Sequence, residues 1–115
     1  MTHCKRGDIV LVLFPNSDMI TYKKRPALVV QADTVDTGLQ QKIIAPLTSN
    51  LNRTGPTRVL FRKDSPEGEA MGLQMDSVVV ADNLATILYS EIDKVIGVCP
   101  SMDKVDSALR TTFGL

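Results

Sequence analysis

Apolar residues fall in short runs along this chain, and their spacing changes once. DIVLVLF (8–14), PALVVQ (26–31) and QKIIAPLT (41–48) are near-continuous runs of strand length, rich in Val, Ile and Leu. TRVLFRK (57–63) alternates charged and apolar positions, the pattern of a half-exposed strand. DSVVV (76–80) and LATIL (84–88) supply one long or two short strands, and KVIGV (94–98) a last one. The segments between them, 15–24, 32–40 and SPEGEAMG (65–72), are rich in turn formers and read as loops. Pro15 should stop the first strand, and Pro46 inside the third calls for an edge position or a bulge.

In SMDKVDSALRTTFGL (101–115) the period becomes helical. Met102, Val105, Ala108, Leu109 and Thr112 share one face. Ser101 is the expected N-cap, Asp103 and Asp106 lie towards the positive end, and Arg110 lies towards the negative end before the terminator Gly114. Many short strands followed by one helix predict a small, strongly bent β sheet or barrel with the helix packed on it.

A length of 115 residues predicts one domain, 1–115. No apolar run approaches the ~20 residues of a membrane helix, and IVLVLF (9–14) is too short for a secretory signal. The chain therefore reads as soluble and cytoplasmic, with no membrane partner. Cys4 and Cys99 are expected to be reduced and unpaired, with a disulfide as the alternative. The single histidine, His3, is expected to be solvated. No His, Cys and carboxylate spacing suits a metal, and neither a Gly-rich phosphate loop nor a nucleophile elbow is present, so neither metal nor cofactor is expected. The core is thin in aromatics, which makes self-association an expectation.

The net charge is zero but unevenly spread. Residues 1–63 carry ten Lys and Arg against four Asp, and residues 64–115 three against nine Asp and Glu. An anionic partner for part of the surface is one explanation; folding that interleaves the two sets is the other. The densest cationic stretch is KKRPALVV (23–30). Pro26 restricts Arg25 to extended conformations, so this guanidinium, a planar fork matched to two phosphate oxygens, has a fixed base. If 26–31 and 41–48 pair as antiparallel neighbours with residue 31 facing residue 42, residue 25 faces Thr48. Arg25 and Thr48 then lie side by side at one end of the sheet, with Cβ atoms roughly 5 Å apart; a slip of one residue would separate them. A solvated strand-end arginine beside an ordinary strand threonine would carry the same local pattern.

KRGDIVLVLFP, KKRPALVVQAD, IIAPLTSN, DSVVVADNLATI and DKVDSALRTTFGL, in that order and over nearly the whole chain, resemble the PemK/MazF-like toxins of toxin–antitoxin pairs. The resemblance implies a mainly β fold, an SH3-like small β barrel with a C-terminal helix, and a homodimer. It implies an endoribonuclease (mRNA interferase) that cleaves single-stranded RNA or mRNA at short sequences without metal, leaving a 2′,3′-cyclic phosphate and a 5′ hydroxyl. Arg25 and Thr48 stand at the positions of the family's catalytic Arg and Thr. The implied partners are single-stranded RNA and a cognate antitoxin, with DNA reached only through that antitoxin. Two segments depart from the family pattern: NSDMITYK (16–23) replaces a Gly-Ser-Glu-Gln-like loop, and in DNLATIL (82–88) Asn83 replaces a glutamine and Ala85 an arginine.

On this reading Arg25 stabilises charge on the attacked phosphate and Thr48 donates its hydroxyl, while the base that takes the 2′ proton is unassigned. Lys23, Lys24, Arg53 and Arg58 are candidates for steering RNA, although Arg58 and Arg62 also fit a solvated strand face. Tyr22 is the one aromatic near the site. Asn16, Ser17, Asn50 and Asn52 are candidates for base recognition, with Ser77 and Asn83 as further RNA contacts. A non-catalytic RNA- or protein-binding module on the same barrel is the alternative; a DNA-binding regulator lacks a helix-turn-helix pattern.

Overall fold

A computed structural model describes residues 3–15 and 18–115. Seven strands form in the order β1 (Asp8–Pro15), β2 (Tyr22–Val29), β3 (Gln41–Thr48), β4 (Arg58–Phe61), β5 (Ser77–Val80), β6 (Ala85–Leu88) and β7 (Ile92–Val98). A short helix α1 (Pro66–Met71) separates β4 from β5, and α2 (Met102–Phe113) closes the chain. All strand pairings among the described residues are antiparallel, and the sheet runs β4-β5-β3-β2-β1-β7 with β6 also on β3. The two ends of that path, β4 and β7, do not pair among the described residues. The expected barrel is thus an open, bent sheet as far as strand pairing goes.

β2 and β3 adopt the register deduced from the sequence: Ala27 faces Pro46, Leu28 faces Ala45 and Val29 faces Ile44. Three local expectations need correction. Tyr22, Lys23 and Lys24 belong to β2 rather than to a loop, because the ladder to β1 continues unbroken to Pro15↔Tyr22. Pro26 is therefore the fifth strand residue, lying just outside the ladder to β3, which starts at Ala27. Residues 66–71 are helical: the Ser65 hydroxyl accepts from the Gly68 N–H at 3.0 Å, Pro66 opens the helix, and Gly72 ends it in the left-handed region at φ 72°. Pro46 needs neither an edge nor a bulge. β6 pairs with β3 over 41–44 and β5 over 47–48, so Pro46 sits in the gap between two partners, where no ladder bond is lost.

The sheet is apolar on both faces. Ile9, Leu28, Ala45, Phe61 and Val79 pack with Met71 of α1 and Val105 of α2. Val10, Val12, Ala27, Val29, Ile44, Ile87 and Ile92 form a second cluster. Cys99 is buried in the first and Cys4 packs against the second; both thiols are free, and burial raises the pKa of each. Arg6 ties the edges together: its Nε donates to the Val30 carbonyl at 2.9 Å and its guanidinium pairs with Asp106 of α2.

α1 lies directly on the backbone of β7. A Cβ at Gly97 would sit 2.3 Å from the Met71 carbonyl carbon, and one at Gly72 would sit 2.3 Å from the Ile96 oxygen. On its other side α1 is bolted to α2 through Glu67, which accepts from the Ser101 hydroxyl and pairs with Lys104 at 3.2 Å. Ser101 is at the N-cap of α2, but its hydroxyl is committed to Glu67 rather than to the helix N–H groups.

Two tests follow from this packing. Gly97→Ala forces α1 off β7 and should cost about 1–3 kcal/mol, the usual range for overpacking, measured by urea denaturation. The Ser101 hydroxyl and Lys104 hold the Glu67 carboxyl below its ordinary value. Its contribution to stability is therefore present above the unfolded-state value, about 4.3, and fades as pH falls through the lower folded-state value. The melting temperature of Glu67→Gln should lie below wild type at pH 7 and converge on it as the solution is acidified.

Candidate functional site

The β2–β3 register, carried two residues past Ala27↔Pro46, sets Arg25 level with Thr48. Both residues line a cleft of ≈ 800 Å³, within the roughly 300–1,000 Å³ of sites that take drug-sized ligands. Leu11, Pro26, Leu47 and Ile96 give the lining an apolar part. Lys23, Lys24 and Arg25 come from β2, Lys94 from β7, Gly72–Met75 from the connection between α1 and β5, and Ser77 from the start of β5.

The cleft is cationic. No Asp or Glu is among its lining residues. Lys24 is paired with Asp93 at 3.1 Å; Lys23, Arg25 and Lys94 have no ion-pair partner among the described residues. Elsewhere the two charge halves of the chain do interleave: Arg6 pairs with Asp106, Arg58 with Asp82 at 3.0 Å and Arg62 with Asp76 at 3.1 Å. Lys23, Arg25 and Lys94 thus give the cleft a local excess of positive charge where Arg25 and Thr48 meet.

Thr48 is half-buried, and its hydroxyl oxygen accepts from the Asn50 N–H at 3.1 Å. That bond uses a lone pair and leaves the hydroxyl proton available to a ligand. It also begins a run of turns in which the Asn50 side chain accepts from the Asn52 N–H at 3.1 Å.

Of the sequence-derived candidates, Arg25, Thr48, Lys23, Lys24 and Ser77 share the cleft. Ser77 is only 6% exposed, and its hydroxyl donates to the Met75 carbonyl at 2.9 Å, supporting the chain there. Tyr22, Asn50, Arg53 and Asn83 are exposed and do not line the cleft. Asn16 and Ser17 lie outside the described residues. Arg58 is held by Asp82 and by the Thr54 carbonyl at 3.2 Å, a structural commitment. Sequence reasoning missed Lys94, Gln74 and Met75. Lys94 reaches the cleft because it faces Leu11 across β1 and β7, a pairing of residues some eighty positions apart that no local pattern announces. Among the described residues no group of three or more His, Cys, Asp or Glu is placed to hold a metal ion, and no helix is long and apolar enough to cross a membrane.

A small antiparallel sheet with a C-terminal helix and a carboxylate-free basic cleft at its strand ends defines a class of compact β proteins suited to an anionic ligand. Within that class the sequence settles the family: the model of the PemK-like, MazF-like toxins of type II toxin–antitoxin systems matches residues 5–113, and the chain belongs to this family, one of endoribonucleases. No curated protein matches the sequence. Among solved structures, an endoribonuclease in complex with its cognate antitoxin from a mycobacterial species is similar at 24% identity, the match spanning 98% of this chain and 97% of that one with a TM-score of 0.74. Mycobacterium tuberculosis toxin MazF-mt6 is similar at 25% identity over 94% of this chain and 97% of its own, TM-score 0.73. A MazE–MazF structure from Deinococcus radiodurans is 20% identical over 97% of both chains, TM-score 0.71. The mainly β fold with its C-terminal helix is the fold of these toxins.

Proposed function

We propose that the cleft is the active site of a metal-independent endoribonuclease that cuts single-stranded RNA, mRNA included. The carrying observation is the pairing of an ion-pair-free Arg25 with a half-buried Thr48 in a basic cleft that has no carboxylate in its lining. In the proposed step the 2′ oxygen attacks the adjacent phosphorus, the bond to the 5′ oxygen breaks, and the products are a 2′,3′-cyclic phosphate and a 5′ hydroxyl. The 2′ proton passes to solvent water, and a proton is delivered to the departing 5′ oxygen. Charge accumulates on the non-bridging oxygens, where the Arg25 fork and the Thr48 hydroxyl act as donors. Arg25 is also the proposed proton donor to the leaving oxygen, whereas the described lining offers no imidazole or carboxylate as base.

Lys23 and Lys94, both without an ion-pair partner among the described residues, attract the RNA backbone. A cognate antitoxin is the proposed inhibitor; an acidic segment ordering across the cleft would neutralise these cations and block access to Arg25. The family membership supports a toxin that meets such a partner. A homodimer is proposed as the working form, and the cytoplasm as its place of action.

Incubation with single-stranded RNA in EDTA tests the reading. Wild type should cleave and leave cyclic-phosphate ends. Arg25→Ala should lose cleavage while keeping its circular-dichroism spectrum, and Thr48→Ala should slow it by about 100-fold or more, with Thr48→Ser recovering much of the rate. RNA binding without any cleavage by wild type would favour a non-catalytic binding module. For binding, Lys23→Ala and Lys94→Ala should each make the dependence of log K on log salt shallower by roughly 0.7, the single-strand value per phosphate contact, whereas Arg62→Ala should leave the slope in place.

A further inference from the structure

We propose that Gln74 and Met75 form a base-reading surface in the cleft, recognising one nucleobase next to the linkage that Arg25 and Thr48 hold. This rests on the reading of the cleft as an RNA site, and it assigns specificity to a segment outside the loop that precedes β2. Both side chains are exposed and both line the cleft; Met75 is 60% exposed. A large exposed thioether and an exposed amide side by side, with neither side chain hydrogen-bonded within the described residues, are groups without an evident structural task.

Their backbone, by contrast, is pinned on every side. Upstream, Gly72 and Gly97 let the end of α1 rest against β7 with no side chain between. Downstream, the Ser77 hydroxyl donates to the Met75 carbonyl, and Asp76 accepts from the Lys63 N–H at 2.9 Å and from Arg62 at 3.1 Å. Those bonds hold the Asp76 carboxyl below its usual range, with the Lys63 N–H as the largest cause. Rigid backbone carrying free polar and apolar side chains is what recognition needs, because little ordering entropy is lost on binding.

The chemistry matches a base. A primary amide offers a donor and an acceptor to a base edge, and the polarizable sulfur of methionine packs well on a π face. Single-stranded RNA presents such unstacked faces and edges. Among the described residues no aromatic side chain lines the cleft to serve instead.

The experiment separates base reading from cleavage. A random 2′-fluoro RNA pool lacks the 2′ nucleophile, so sequences recovered on the purified protein report binding alone; a random 2′-hydroxyl pool with end mapping reports cutting. Wild type should show one preferred base at a fixed position in both. Gln74→Ala and Met75→Ala should each flatten that preference by roughly 10-fold, the scale of a bidentate base contact. Gln74→Glu, which exchanges the donor for an acceptor, should move it towards bases that present an amino group. Each variant's melting temperature verifies folding; the altered side chains are exposed. Unchanged preferences in all three variants, or a wild type that binds every base alike, would overturn the assignment. Base-selective binding altered in the variants but with no cutting of 2′-hydroxyl RNA would uphold it and overturn the proposed catalysis instead.

Discussion

Everything in the cleft depends on one alignment, the register between β2 and β3. Side chains alternate strictly along a strand, so a one-residue slip would set Arg25 and Thr48 on different faces. The pairs Ala27↔Pro46, Leu28↔Ala45 and Val29↔Ile44 prevent it, because a slip would exchange the residues sent into the two cores. Hydrophobic burial thereby fixes the relative position of two polar groups, Arg25 and Thr48. Pro46 adds a second constraint: it can donate to neither neighbour, so it is tolerated only where β3 changes partner from β6 to β5.

Charge follows the same economy. The basic first half and acidic second half of the sequence meet across the fold at Arg6–Asp106, Lys24–Asp93, Arg58–Asp82 and Arg62–Asp76. These partly exposed pairs are individually worth little to stability. Their effect is to leave Lys23, Arg25 and Lys94 as the local excess. The positive field at the cleft therefore arises in an overall neutral molecule from the local arrangement of charges rather than from net charge.

Much of this was legible from apolar spacing. β3 was bounded correctly at both ends, α2 was placed within a residue, and the β2–β3 register followed from simple antiparallel counting. The misses have identifiable causes. Lys23 and Lys24 looked like loop because lysine is a weak strand former, yet pairing with Phe14 and Leu13 overrode that preference. SPEGEAMG looked like a turn because Ser, Pro and Gly were read as breakers; read by position, Ser as cap, Pro at the first turn and Gly at the end spell a short helix. Ser101 is the N-cap that the spacing predicts, but its hydroxyl bonds a carboxylate, Glu67, thirty-four residues back in the chain. Gln74, Met75 and Lys94 were invisible because their place depends on α1 meeting β7 and on β7 meeting β1, both long-range events.

The lining draws on residues from Leu11 to Ile96, nearly the whole chain. A polypeptide emerging from the ribosome can pair β1, β2 and β3, and so bring Arg25 and Thr48 together, while the segment from Gly72 to Ser77 and the strand bearing Lys94 are still unsynthesised. A half-made chain would thus hold Arg25 and Thr48 beside Lys23 and Lys24 but without the wall that residues 72–77 and β7 add to the cleft. The complete cleft is therefore a property of the finished fold, assembled only once the last strand, β7, is in place.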